Sequence, residues 1–102
     1  MATVVVLFNL KPGIEASDYE RWARSTDLPI VNALSSVRRF EVLKATGLLG
    51  GEGVAPYQYV EVLELESLDG LHADVATPAI QQVAAEFRSF ADAPVFIVTE
   101  PI

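Results

Sequence analysis

The chain has no cysteine, one histidine (His72), one tryptophan (Trp22), and 7 lysine and arginine residues against 14 aspartate and glutamate residues. Without cysteine there is no disulfide framework, no thiolate nucleophile and no sulfur-based metal site. A single histidine excludes a self-contained poly-histidine metal centre, and no metal or other cofactor is expected. A net charge of −7 argues against nucleic acid, whose phosphates demand clustered cations, and against an anionic membrane surface. The apolar run Val4 to Phe8 is a strand's length, far short of the roughly 20 residues that span a bilayer. No basic segment followed by an apolar core and a cleavage site opens the chain, so the default expectation is a cytoplasmic protein.

What is present is apolar. The 102 residues suit one domain, and 51% of them are hydrophobic. That is more apolar surface than so small an interior readily hides, which points to sharing with a second subunit. The stretch Tyr57 to Leu65 organises the rest. Its alternation puts Val60 and Val62 on one face and Tyr59, Glu61, Leu63 and Leu65 on the other.

Thr3 to Leu10 is a β-branched strand stopped by Lys11-Pro12-Gly13. Ser17-Asp18-Tyr19-Glu20 reads as a capping box, with Tyr19, Trp22 and Ala23 on the inward helical face. Asp27-Leu28-Pro29 reads as a second helix start after a bend, with Ile30, Ala33 and Leu34 inward. Val37 to Ala45 is a strand, and the glycine-rich segment 47–56 is a loop. Ser67 caps a short helix, Thr77-Pro78 opens another with the stripe Ile80, Val83, Ala84 and Phe87, and Ala93-Pro94 ends it before a last strand, Val95 to Glu100.

An internal repeat runs at an offset of 50 residues: Ser17 with Ser67, Trp22 with His72, Asp27 with Thr77, Phe40 with Phe90. Each half reads strand, helix, bend, helix, strand. Two such halves make a ferredoxin-like split β-α-β fold of α+β class, a four-stranded antiparallel sheet with helices on one face. The uncovered face still carries Val5, Leu7, Leu43, Leu63 and Leu65. Leaving it wet costs about 25 cal/mol per Å² of apolar area, so a homodimer packed sheet to sheet as an α/β barrel is expected.

Residues Val5 to Gly13, Asp18 to Ala23, Asp27-Leu28-Pro29 and Gly47 to Gly51 resemble the REDY-like (HapK-like) family within the dimeric α/β-barrel superfamily. The resemblance implies the dimeric barrel fold and service in secondary metabolism, such as prodigiosin-type pathways. It also implies an apolar, aromatic, pyrrole- or polyketide-like small molecule bound between sheet and helices. Several related barrels carry His-x-Pro in the helical segment. Here that place reads Asp27-Leu28-Pro29, so a histidine role there does not transfer.

With Val4, Val6, Phe8, Phe40, Val42, Val60 and Val62 against the helices, a polar cluster of Asn9, Arg39, Glu41, Tyr59 and Glu61 falls on the opposite face. His72, Glu61, Tyr59 and Asp27 are the candidate acid–base groups. Asn9, Trp22, Arg39 and Glu41 are the candidate substrate contacts. Each has a plainer alternative: Arg39 and the glutamates as interchain salt bridges, Asp27 as an N-cap, Trp22 as core, His72 as surface. The glycine loop lacks the Gly-Lys-Ser/Thr ending and following helix of a phosphate cradle. Three readings follow: a cofactor-independent proton-transfer, cyclisation or condensation enzyme, a carrier for a hydrophobic intermediate, or a structural dimer with a filled interior.

Overall fold

The computed structural model describes all 102 residues. Its elements run β1 (Thr3–Leu10), α1 (Ala16–Trp22), a π-helical turn (Ala23–Asp27), α2 (Leu28–Asn32), β2 (Val37–Lys44), β3 (Tyr59–Leu65), α3 (Leu68–Val75), α4 (Pro78–Phe90) and β4 (Ala91–Thr99). The strands form one antiparallel sheet in the order β2-β3-β1-β4. This is the ferredoxin-like α+β fold, and each half of the chain supplies strand, helices, strand. Ser67 caps α3 by accepting from the Gly70 amide at 2.9 Å, and Pro78 stands at the first turn of α4.

The face of β3 is the reverse of the one expected. Tyr59, Glu61 and Leu65 are buried under the helices, while Val60 and Val62 lie on the open face. Register shows why. Phe8 is paired with Tyr59 and stacks on it at 5.5 Å between ring centroids, and Tyr19 and Phe87 approach Phe8 edge-on at 5.4 and 5.0 Å. Burying Tyr59, Leu63 and Leu65 hides more apolar area than burying two valines, and aromatic pairs add to it. The valines then join Val5, Leu7, Leu43, Val95 and Ile97, which neighbour one another across the four strands in one apolar surface. Strand alternation predicts Val37 on one face with Arg39, Glu41 and Leu43, but a register shift between Val37 and Arg39 turns it inward.

The first helical segment also differs. Its N-cap is Glu15 without a side-chain bond, so Ser17 is not a cap, and Asp27 has helical dihedrals and caps nothing. Instead the chain stays helical from Ala16 to Asn32 through the π turn, in which the Leu28 amide bonds the Ala23 carbonyl. Pro29 lacks an N–H and its ring crowds the carbonyl four residues back, a conflict that a widened turn relieves. The turn has a second effect. The buried residues are Tyr19, Ala23, Asp27 and Val31, spaced by four. On a regular helix of 3.6 residues per turn each step of four drifts by about 40°. The wider turn cancels part of that drift and keeps Asp27 pointing inward, with Val31 buried in place of Ile30.

At the other edge β4 begins at Ala91, so Ala93-Pro94 lies within the strand as a bulge opposite Phe8. Ala93 has φ 44, a left-handed conformation that costs a non-glycine residue about 1 kcal/mol. Pro94 is tolerated there because β4 is an edge strand and a bulge frees it from the ladder.

Candidate active site

A cavity of about 400 Å³ lies between the sheet and the helices. Its walls are apolar side chains of β1, α2, β2 and α4, among them Val6, Val31, Phe40, Ile80, Val83 and Phe87. Two carboxyls reach into it. Glu61 comes from the centre of β3, paired with Val6 on one side and Val42 on the other. Asp27 comes from the π turn above. Each is only 5% exposed.

Their surroundings set their chemistry. Burial pushes the Asp27 carboxyl up to about 7, and nothing in the protein opposes it by bonding to the ionised form. Burial, with the nearby Asp27 charge, pushes Glu61 up to about 8. The Tyr19 hydroxyl donates to Glu61 Oε2 at 3.4 Å and acts the other way, favouring the carboxylate. Tyr19 itself is held well above the ordinary phenol range by burial and by the Glu61 charge. Both carboxyls are thus shifted toward the neutral pH range in which a carboxyl can exchange protons. No group of three or more potential metal-ligating side chains forms.

The expected polar cluster is therefore divided by the sheet. Glu61 and Asp27 come together in the cavity. Tyr59 shares their face, yet its hydroxyl leads away to Glu20 Oε2 at 2.6 Å, where Lys44 also sits at 2.9 Å. That bond and Lys44 hold Glu20 below the usual carboxylate range. Arg39 and Glu41 form an ion pair on the open face, with Glu64 4.0 Å from Arg39. Asn9 accepts from the Gln58 amide and donates to the Pro56 carbonyl, tying the end of the glycine-rich loop to β1. Trp22 does not line the cavity; it packs on Phe90 at 5.3 Å and its indole N–H donates to Glu86 at 2.7 Å. His72 is exposed on α3, whose Leu71 and Val75 face the cavity instead. Tyr19 was not singled out as a site residue. The signal was present in its spacing of eight from Asp27, which needs the π turn to be read as one face.

Two buried carboxyls in an apolar cavity, roofed by helices over a four-stranded antiparallel sheet, mark the interior of a ferredoxin-like α+β domain. The profile of the family described as REDY-like protein HapK matches residues 2–102, and the chain belongs to that family. HapK from Hahella chejuensis is similar to it, with 27% identity and a TM-score of 0.82 over 100% of this chain and 93% of that one. A dimeric ferredoxin-like protein from Thermobifida fusca matches with a TM-score of 0.73 at 18% identity, covering 98% of this chain and 90% of that one. A protein described as an antibiotic biosynthesis monooxygenase matches with a TM-score of 0.72 at 13% identity, covering 100% and 99%. No curated protein matches by sequence. No helix is long and apolar enough to cross a membrane.

Proposed function

We propose that the protein is a cofactor-independent enzyme of secondary metabolism that moves protons on an apolar aromatic, pyrrole- or polyketide-like molecule held in the cavity. The observation that carries this reading is Asp27: a buried carboxyl, facing a cavity, with burial as the sole cause of its raised pKa and no capping bond to account for it. A structural carboxyl at 5% exposure is normally hydrogen-bonded or paired, because an unpaired one destabilises the fold. The Asp27 oxygens open onto the cavity, where a ligand can take the place of such a partner.

In an isomerisation the balance closes without a co-reactant. The ionised member of the pair takes a proton from the substrate, the protonated member gives one to the atom where negative charge gathers, and a proton passing between the two carboxyls resets them. The apolar walls exclude water and leave the two carboxyls to fix orientation. Membership of the REDY-like family supports the metabolic setting. The chain works as a homodimer packed through the open sheet face, a reading supported by the continuous apolar surface there and by the dimeric Thermobifida relative.

The test uses the purified protein with aromatic and polyketide-like metabolites from its own host. Asp27→Asn and Glu61→Gln are expected to abolish turnover while binding is kept. Binding by the unsubstituted protein with no turnover of any bound compound would instead identify a carrier for a hydrophobic intermediate.

A further inference from the structure

Of the seven cationic side chains, five are ion-paired: Arg21 with Asp18, Arg24 and Lys44 with Glu20, Arg38 with Glu66, and Arg39 with Glu41 and Glu64. The two without a partner are Lys11, in the turn after β1, and Arg88. With 14 acids for 7 bases, an unpaired guanidinium stands out, and Arg88 stands at the cavity. It lines the same space as Asp27 and Glu61, one helical turn beyond Ala84 on the face of α4 that forms the cavity wall. Arg88 is exposed and its neighbour in the lining, Phe96, is 61% exposed, so these two mark the open end while the carboxyls mark the closed one. The Ala93-Pro94 bulge brings Pro94 into the same rim. Arg88 does not neutralise the interior pair: its charge is not among the causes that set Asp27 or Glu61.

The cavity thus has a polarity, with proton-transfer groups at its floor, apolar walls, and one free planar cation at its mouth. We infer that Arg88 anchors a carboxylate on the substrate, so that the molecule bound here is an aromatic or polyketide acid, its apolar body inside and its carboxylate outside. The inference rests on the cavity being the binding site. A guanidinium matches a carboxylate with two parallel hydrogen bonds, and Pro94 and Phe96 form an apolar lip beside it. Stabilising the last turn of α4 through the helix dipole is the plainer role for Arg88, but that role is indifferent to the charge of a ligand.

The experiment compares 2-naphthoate with its neutral counterpart 2-naphthamide on the full-length protein, by calorimetry and by amide NMR shifts. Naphthoate is expected to bind about fivefold more tightly than naphthamide, the range of a solvent-exposed ion pair. Arg88→Gln is expected to erase that preference while leaving naphthamide affinity unchanged. Equal affinities in the unsubstituted protein, or a preference that survives in R88Q, would overturn the anchor and leave the cavity standing, provided both probes shift the amides of Asp27, Val83 and Phe87. Failure of both probes to shift those amides would overturn the cavity reading and the anchor together.

Discussion

The Tyr19 hydroxyl donates to Glu61 Oε2 at 3.4 Å from the helix that also carries Asp27, so one helix face both supports Glu61 and opposes it. Tyr19 favours the ionised carboxyl and Asp27 disfavours it. Replacing Tyr19 with Phe removes the first influence and leaves burial and Asp27. The Glu61 side chain is then expected to titrate at higher pH, with a stability loss of about 1 kcal/mol for the lost bond. Carboxyl carbon NMR titration checks this, and an unchanged or lowered Glu61 midpoint in Y19F counts against it.

The raised carboxyls also dictate how stability depends on pH. A carboxyl whose folded pKa lies above its unfolded value binds more protons when folded, so stability falls as pH rises across that window. For Asp27 the window runs from 3.8 to about 7 and for Glu61 from 4.5 to about 8. Urea midpoints are therefore expected to fall between pH 5 and pH 8, by at most about 1.4 kcal/mol per pH unit for each group. Glu20, with its lowered pKa, acts in the opposite sense and only at the acid end. Asp27→Asn is expected to flatten the slope; a midpoint that rises toward pH 8 in the parent protein would contradict the burial of this pair.

Ala84 lines the cavity from α4 and is half-buried. Ala84→Phe fills space with apolar atoms and displaces no polar group. Ligand binding is expected to be lost with thermal stability kept within about 1–3 kcal/mol, the range of a core overpacking change. Retained affinity for the naphthyl probes would place their site elsewhere.

Tyr59 and His72 serve as contrasts to the interior pair. The Tyr59 hydroxyl is engaged with Glu20, and His72 faces outward. Tyr59→Phe is expected to cost about 1–2 kcal/mol, since it removes a bond to a charged group, and His72→Ala close to nothing. Both are expected to keep turnover. A hundredfold fall in kcat for either would return that residue to the reaction.

Val62 lies at the middle of the open sheet face, opposite Val5 on one side and Glu41 on the other. Val62→Glu sets a third carboxylate beside Glu41 and Glu64, on a surface proposed to be buried between subunits, where an unpaired charge is strongly unfavourable. Light scattering is expected to give a dimer mass for the parent protein and a monomer mass for the variant. A monomeric parent would remove the sheet-to-sheet assembly.

Much of the fold was legible in the residues themselves. The Ser67 cap, the β-branched run of β1, the Thr77-Pro78 start and the Ile80, Val83, Ala84, Phe87 stripe all act locally. Capping, φ restriction and side-chain periodicity operate within a few residues, so a single chain reveals them. Glu61 was legible as a carboxyl in a partly apolar barrel, though on the wrong face, and Asp27 as an N-cap whose alternative was a carboxylate at the pocket mouth.

Which way β3 faced was not local. Val60 and Val62 form a wholly aliphatic face, whereas Tyr59, Leu63 and Leu65 share theirs with Glu61, and a strand's alternation does not say which face a partner will cover. Phe8 and Tyr19 made that choice by packing on Tyr59, with Phe87 against Phe8, and Glu61 went inside with it. The π turn is the same kind of decision. Asp27 before Leu28-Pro29 is locally a good cap, but the helix runs on because Tyr19, Ala23 and Val31 gain a common buried face. Sequence determined the elements and supplied the chemically able residues. Tertiary packing decided which of them meet, because only long-range contacts weigh one face of an element against the other.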